Sequence, residues 1–153
     1  MKSRLDRNKA ALEAIESVLP ELNGSGAVER PADSLLIVVE GKRDVFALRN
    51  LGIVTEIVSC SNQPVAEFCE TIAEKKKTVI ILTDWDKRGG ILAAKLMEQF
   101  KSLEVPFETE QRKKLLFYSK REIKDVESLG TYIAKLKEAV YGSDFFDDSD
   151  DLK

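Results

Sequence analysis

Leu35 to Val39 reads Leu-Leu-Ile-Val-Val, with no polar residue before the chain turns at Glu40-Gly41, and Thr78 to Leu82, the most β-branched run in the chain, is apolar from Val79 on before Thr83-Asp84-Trp85-Asp86. A run this short is a strand, and apolar residues at every position, rather than every second one, mean that both of its faces are covered. Strands of that kind belong to parallel sheets flanked by helices. This feature more than any other limits the chain to an α/β arrangement.

The remaining segments fit between such strands. Lys42 to Asn50 reads as a helix with Val45, Phe46 and Leu48 inward and Gly52 just past its end. Val54 to Cys60 reads as a strand, and Pro64 opens a helix over Val65 to Lys76. After Gly89-Gly90 a helix is predicted from Ile91 to about Leu103, followed by short strands at Phe107–Thr109 and Leu115–Tyr118 and a last helix over Val126–Val140. Strands alternating with helices imply right-handed crossovers in a parallel sheet. Ahead of this unit, residues 3 to 19 place Leu5, Ala11, Leu12, Ile15, Val18 and Leu19 near one helical face, which Pro20 is expected to close. The expected organisation is an N-terminal amphipathic helix (1–22), a linker (23–34), the α/β unit (35–142) and an acidic, disordered tail (143–153) whose Phe145 and Phe146 are its only bulky apolar rings.

The chain has no histidine and two cysteines, Cys60 and Cys69. Imidazole catalysis, mixed Cys/His zinc sites and a disulfide scaffold are thereby set aside. No apolar run approaches the length of a membrane span, and the start does not lead into a signal-peptide core, so a cytoplasmic protein without a membrane partner is expected. The net charge of −3 hides a division: five aspartates and one lysine fall in residues 143–153, leaving 22 acidic against 23 basic side chains before them. Gln111 to Lys124 is locally cationic, with Arg112, Lys113, Lys114, Lys120, Arg121 and Lys124 against Glu122.

Ligands collect at the carboxyl ends of strands in an open parallel sheet. Glu40 ends one aliphatic strand, and Asp84 and Asp86 end the other, two positions apart and so on one side of extended backbone. If those strands are neighbours, about 4.8 Å apart, the three carboxylates converge. Crowded carboxylates repel unless a cation neutralises them, and oxygen-only donors favour Mg²⁺ or Mn²⁺. Each acid taken singly also fits the cap or first turn of the following helix.

Val38-Val39-Glu40-Gly41-Lys42-Arg43-Asp44, with Thr83-Asp84-Trp85-Asp86-Lys87-Arg88-Gly89, resembles the Toprim domain over roughly Leu35 to Val140. That domain is shared by topoisomerases, bacterial primases, overcoming-lysogenization nucleases and small-primase-like proteins that include a bacterial ribosomal-RNA maturase. The resemblance implies an α/β class: a compact, Rossmann-like parallel-sheet domain, here with an extra N-terminal helix. It implies that Glu40 does acid-base work or binds metal and that Asp84 and Asp86 hold one or two Mg²⁺. The Glu-Gly-Lys-x-Asp form is closest to the maturase-like branch and suggests Asp44 as an accessory, though Asp44 equally serves a helix dipole. Topoisomerases carry two further glutamates where this chain has Arg88 and Gly90, and counterparts of the primase modules and of the maturase's C-terminal sequence are not found.

Lys42, Arg43, Lys87 and Arg88 flank the acids and are either phosphate contacts or solvated surface. Arg112, Lys113, Lys114, Lys120 and Arg121, interleaved with Phe117 and Tyr118, are either a nucleic-acid surface or the outside of a strand. Gly89-Gly90 either lets amides approach a phosphate or makes a plain turn, and Trp85 either stacks on a base or packs on the sheet. Two functions follow: Mg²⁺-dependent phosphodiester chemistry, RNA cleavage ahead of other versions, or a non-catalytic metal-assisted binding module of a larger assembly. The expected partners are nucleic acid, RNA before DNA, and a second copy or a larger complex.

Overall fold

In the computed structural model, the backbone is described for residues 3–151 and the side chains for residues 3–142. The expectation for the acidic tail therefore lies outside the described side chains. The strands β1 (Leu35–Val39), β2 (Glu56–Ser59), β3 (Thr78–Ile81) and β4 (Phe107–Glu108) form one sheet in the order β2-β1-β3-β4. All three pairings are parallel, with Ile37 opposite Ile57 and Ile80, and Ile80 opposite Glu108. The fold is α/β, as the aliphatic runs require.

Among the described residues, six α-helices complete it: α1 (Arg4–Leu22), α2 (Lys42–Asn50), α3 (Val65–Ala73), α4 (Lys87–Ser102), α5 (Glu110–Ser119) and α6 (Leu129–Asp151), the last broken at Gly142 (φ 58°, ψ −145°). Alternate residues of the central strands serve two cores. Leu35, Ile37, Val39, Ile80 and Leu82 pack with Ile15, Val18, Leu22, Leu48, Leu115 and Leu129 on one face. Leu36, Val38, Val79 and Ile81 pack with Phe68, Cys69, Ile72, Leu96 and Phe100 on the other. Each fully buried aliphatic side chain contributes about 1.5–3 kcal/mol through removal from water. No helix among the described residues is long and apolar enough to cross a membrane.

The N-terminal helix starts at Ser3, whose hydroxyl accepts from the Asp6 amide at 3.1 Å. Pro20 does not close it: the helix runs on to Leu22, which is fully buried. The following segment is held by Asn23, whose side chain donates to the Gly52 carbonyl (3.0 Å) and accepts from the Val54 amide (2.8 Å).

Three further expectations need correction. Phe46 is 68 % exposed, because α2 turns Asp44 and Leu48 fully inward and Val45 and Ala47 partly so. Helix α4 begins at Lys87 rather than Ile91, so both glycines lie inside its first turns. Leu115–Tyr118 is not a strand but part of α5, whose buried residues Gln111, Leu115 and Ser119 recur every four positions. Two of those three are polar, which conceals the helical period from a hydrophobicity reading.

Candidate metal and nucleic-acid site

Since β1 and β3 are neighbours and the Leu82 amide donates to the Val38 carbonyl at 2.8 Å, Glu40 and Asp84 emerge side by side at the carboxyl edge of the sheet. Glu40 is half-buried, and its Oε1 is shielded from solvent with no hydrogen-bond partner. Burial first, and then the charge of Asp86, raise the Glu40 carboxyl above its ordinary value, while the amide and carboxyl of Asp84 oppose the rise. Asp84 is pushed up to about 7 by burial, with the charges of Asp44, Glu40 and Asp125 adding to the effect. Its Oδ1 accepts from the Val126 amide at 3.2 Å.

Asp86 takes a different position. It is exposed at the N-cap of α4, where its Oδ1 accepts from the Gly89 amide at 2.7 Å. Asp44 is 6 % exposed and accepts from the Gly41 amide at 3.1 Å, in the first turn of α2. Among the described residues, no three carboxylates make a finished metal cage. Oxygen donors alone, a buried oxygen left unpartnered and an Asp84 carboxyl raised by burial and by its acidic neighbours are nevertheless the conditions that a hard cation relieves, so the pair Glu40 and Asp84 fits Mg²⁺ or Mn²⁺.

The loop after β3 is fixed by close packing. A Cβ on Gly89 would lie 1.8 Å from the Asp84 carbonyl oxygen, so only glycine lets α4 turn this tightly over the acidic loop. The Thr83 hydroxyl donates to the Gly89 carbonyl at 2.8 Å. Trp85 is buried; its ring N–H donates to the Ile123 carbonyl (2.9 Å) and its amide to the Lys124 carbonyl (2.8 Å). The indole therefore packs within the fold, and the alternative of base stacking falls away.

The cations separate into groups. Lys42, Arg43, Lys87 and Arg88 are exposed in the first turns of α2 and α4, beside the acids. Arg43 reaches Glu127 only at 4.0 Å, with both side chains largely solvated. Lys113 is exposed near Glu110 (3.5 Å), Lys114 is half-buried, and Lys120 and Arg121 are exposed at the turn after α5. Arg112 does not stand with them. Its Nε donates to the Thr83 carbonyl (3.0 Å) and its terminal nitrogen to the Asp84 carbonyl (2.8 Å), behind the acidic loop. Burial lowers its affinity for a proton, while Glu40, Asp84 and Asp86 raise it. Sequence reasoning missed this role and also missed Asp125 and Val126, which approach Asp84 from a loop 42 residues away in sequence.

Comparison with known proteins agrees with the fold. The Toprim domain model matches residues 35–118. A UPF0292 protein of Methanosarcina barkeri is 46 % identical over 136 residues, covering 87 % of this chain and 90 % of its own. A UPF0292 protein of Methanocaldococcus jannaschii is 35 % identical over 125 residues, covering 81 % and 90 %. A solved structure of an Aquifex aeolicus protein superposes with a TM-score of 0.60 at 25 % identity, over 74 % of this chain and 95 % of that one. These relatives carry no name from the small-primase-like branch.

Proposed function

This chain belongs to the Toprim domain family, and from that premise we propose that it performs Mg²⁺-dependent phosphodiester chemistry on nucleic acid, with RNA cleavage or processing as the reaction. The observation that supports it most is Glu40 Oε1, a buried carboxylate oxygen without a partner, beside an Asp84 carboxyl whose charge its surroundings oppose. Glu40 and Asp84 would hold Mg²⁺ or Mn²⁺, joined by Asp86 if it gives up its helix cap. The ion supplies Lewis-acid polarisation of a phosphate oxygen and lowers the pKa of water. Glu40, set against Asp84, is the group through which a proton can pass to or from a reacting oxygen. Exposed Lys42, Arg43, Lys87 and Arg88 orient the phosphate through charge-assisted hydrogen bonds.

A second reading, a metal-assisted binding module without turnover, is favoured by one fact: Asp86 spends its Oδ1 on the Gly89 amide. Incubating labelled structured RNA and single-stranded DNA with the protein, in Mg²⁺ or in EDTA, separates the two. Cleavage of RNA that requires Mg²⁺ and is abolished in Asp84→Asn supports the enzyme. Binding without cleavage by the native protein overturns it and selects the module.

A further inference from the structure

The segment after Ser119 does two things at once. From one side of it, the Ile123 and Lys124 carbonyls hold Trp85 and the Val126 amide holds Asp84. On its other side, Lys120, Arg121 and Glu122 border a groove of about 460 Å³ between α1 and the end of α5. Arg7 enters from α1, Tyr132 from α6, and Phe117 and Tyr118 from α5. Phe117 is 68 % exposed and Tyr118 36 %, and their rings meet edge to face with centroids 4.9 Å apart.

Two exposed aromatic rings held edge to face are costly surface for an isolated fold, since burying either would be favourable. The surrounding charge says what the ledge fits. Lys120 and Arg121 share the rim with Glu122, and no salt bridge among the described residues engages either of them. A ring face for a base and cations spaced along the rim for phosphates are the components of single-strand recognition. A duplex hides its base faces and could use only the cations. Apart from Phe117 and Tyr118, the groove is built from chain outside the matched residues 35–118.

We infer that this groove receives a single-stranded segment of nucleic acid: Phe117 and Tyr118 stack a base, Lys120 and Arg121 take the flanking phosphates, and the loop from Glu122 to Val126 joins the bound strand to Asp84. The inference rests on the nucleic-acid reading above and names where the strand lies outside the acidic pocket.

Fluorescence anisotropy with a labelled ten-nucleotide oligouridylate, and with a duplex of equal length, tests it in EDTA so that no strand is cut. Phe117→Ala should weaken single-strand binding about 5-fold or more, while Phe117→Trp restores it. Lys120→Gln/Arg121→Gln should flatten the slope of log affinity against log salt by about 1.4, at about 0.7 for each phosphate contact on a single strand. Thermal melts check that these exposed substitutions leave the fold intact. Native protein that binds no oligonucleotide, Phe117→Ala that binds like native, or equal losses for single strand and duplex would each overturn the inference. Asp84→Asn separates the two readings. If it and the native protein bind the strand equally and neither cuts in Mg²⁺, the catalytic reading falls and the groove stands; if cutting depends on Asp84 while Phe117→Ala binds normally, the groove falls alone.

Discussion

Gly89 and Gly90 are adjacent in α4, yet the packing around them predicts opposite responses to alanine. In an exposed helix interior, replacing glycine by alanine stabilises by about 0.5–1 kcal/mol, because the unfolded chain loses freedom and the helix gains a better former. At Gly90 the new methyl would meet only the terminal nitrogen of Arg112 at 3.8 Å, an ordinary contact, so the full gain should appear. At Gly89 it would sit 1.8 Å from the Asp84 carbonyl oxygen and 2.5 Å from its carbon. Those are backbone atoms, held by Arg112 from one side and by the β3 ladder from the other, so the conflict cannot be relieved by a side-chain rotation. Overpacking of this kind costs about 1–3 kcal/mol, and a backbone clash lies at or beyond the upper end. For a chain of 153 residues, 1 kcal/mol moves the melting temperature by about 2–4 °C. Gly90→Ala should therefore raise the melting temperature by about 1–4 °C, and Gly89→Ala should lower it by about 4–10 °C after the helix gain is subtracted. Differential scanning calorimetry of the two variants beside the native protein gives both numbers. Equal shifts, or a Gly89→Ala that melts like native, would refute the reasoning that α4 is locked over the acidic loop by the absence of one methyl group.

Other consequences can be checked with the same purified protein. Glu108 is bound in two contacts by Arg30, which holds its carboxyl below the ordinary 4.5, so the ion pair contributes stability at neutral pH and loses it as the carboxylate is protonated. Both side chains are about 30 % exposed, so Glu108→Gln should cost only about 0.5–1 kcal/mol at pH 7 and nothing at pH 2.5; a penalty equal at both pH values contradicts the pair. Burial pushes the Cys60 and Cys69 thiols up to about 11, so Ellman's reagent at pH 8 should react with neither until urea unfolds the chain, and prompt reaction of the native protein would show the second core to be open. Trp85→Phe removes the donor to the Ile123 carbonyl and should cost about 1 kcal/mol in urea denaturation; an unchanged midpoint would mean that the loop is held by backbone contacts alone.

What the sequence displays depends on how locally each feature is encoded. The strands β1 and β3 are legible because every residue of Leu35–Val39 is apolar, and each is fully buried in the structure. The pairing of Glu40 with Asp84 follows once those strands are adjacent, since register carries both to the same edge. The helix α5 is not legible, because its inward face mixes Leu115 with Gln111 and Ser119, and the Ser119 hydroxyl satisfies itself on the Leu115 carbonyl at 2.6 Å. The helix α1 looks separable in sequence, behind a glycine-rich connection, but Ile15, Val18 and Leu22 lie in the same core as β1 and β3. Nothing local to residues 3–22 announces that partner.

The basic stretch shows the limit most clearly, because charge read from sequence carries no direction. Arg112 and Lys113 are neighbours, and helical geometry turns them about 100° apart, which is enough to send one behind the Asp84 loop and the other into solvent near Glu110. A guanidinium donating to two carbonyls is planar and fixed, whereas an ammonium on a flexible stem has three donors but no rigid fork to set the geometry. Glu40, Asp84 and Asp86 favour the positive charge of Arg112, though burial outweighs them. Arg112 thus sits behind the acidic loop, in a position where it offers little to a phosphate outside. The other cations singled out in the sequence for nucleic acid lie in three places: Lys42, Arg43, Lys87 and Arg88 around the acids, Lys113 and Lys114 on α5, and Lys120 and Arg121 on the aromatic groove. The loop from Glu122 to Val126 touches both the groove, through Glu122, and the acidic site, through the Val126 amide.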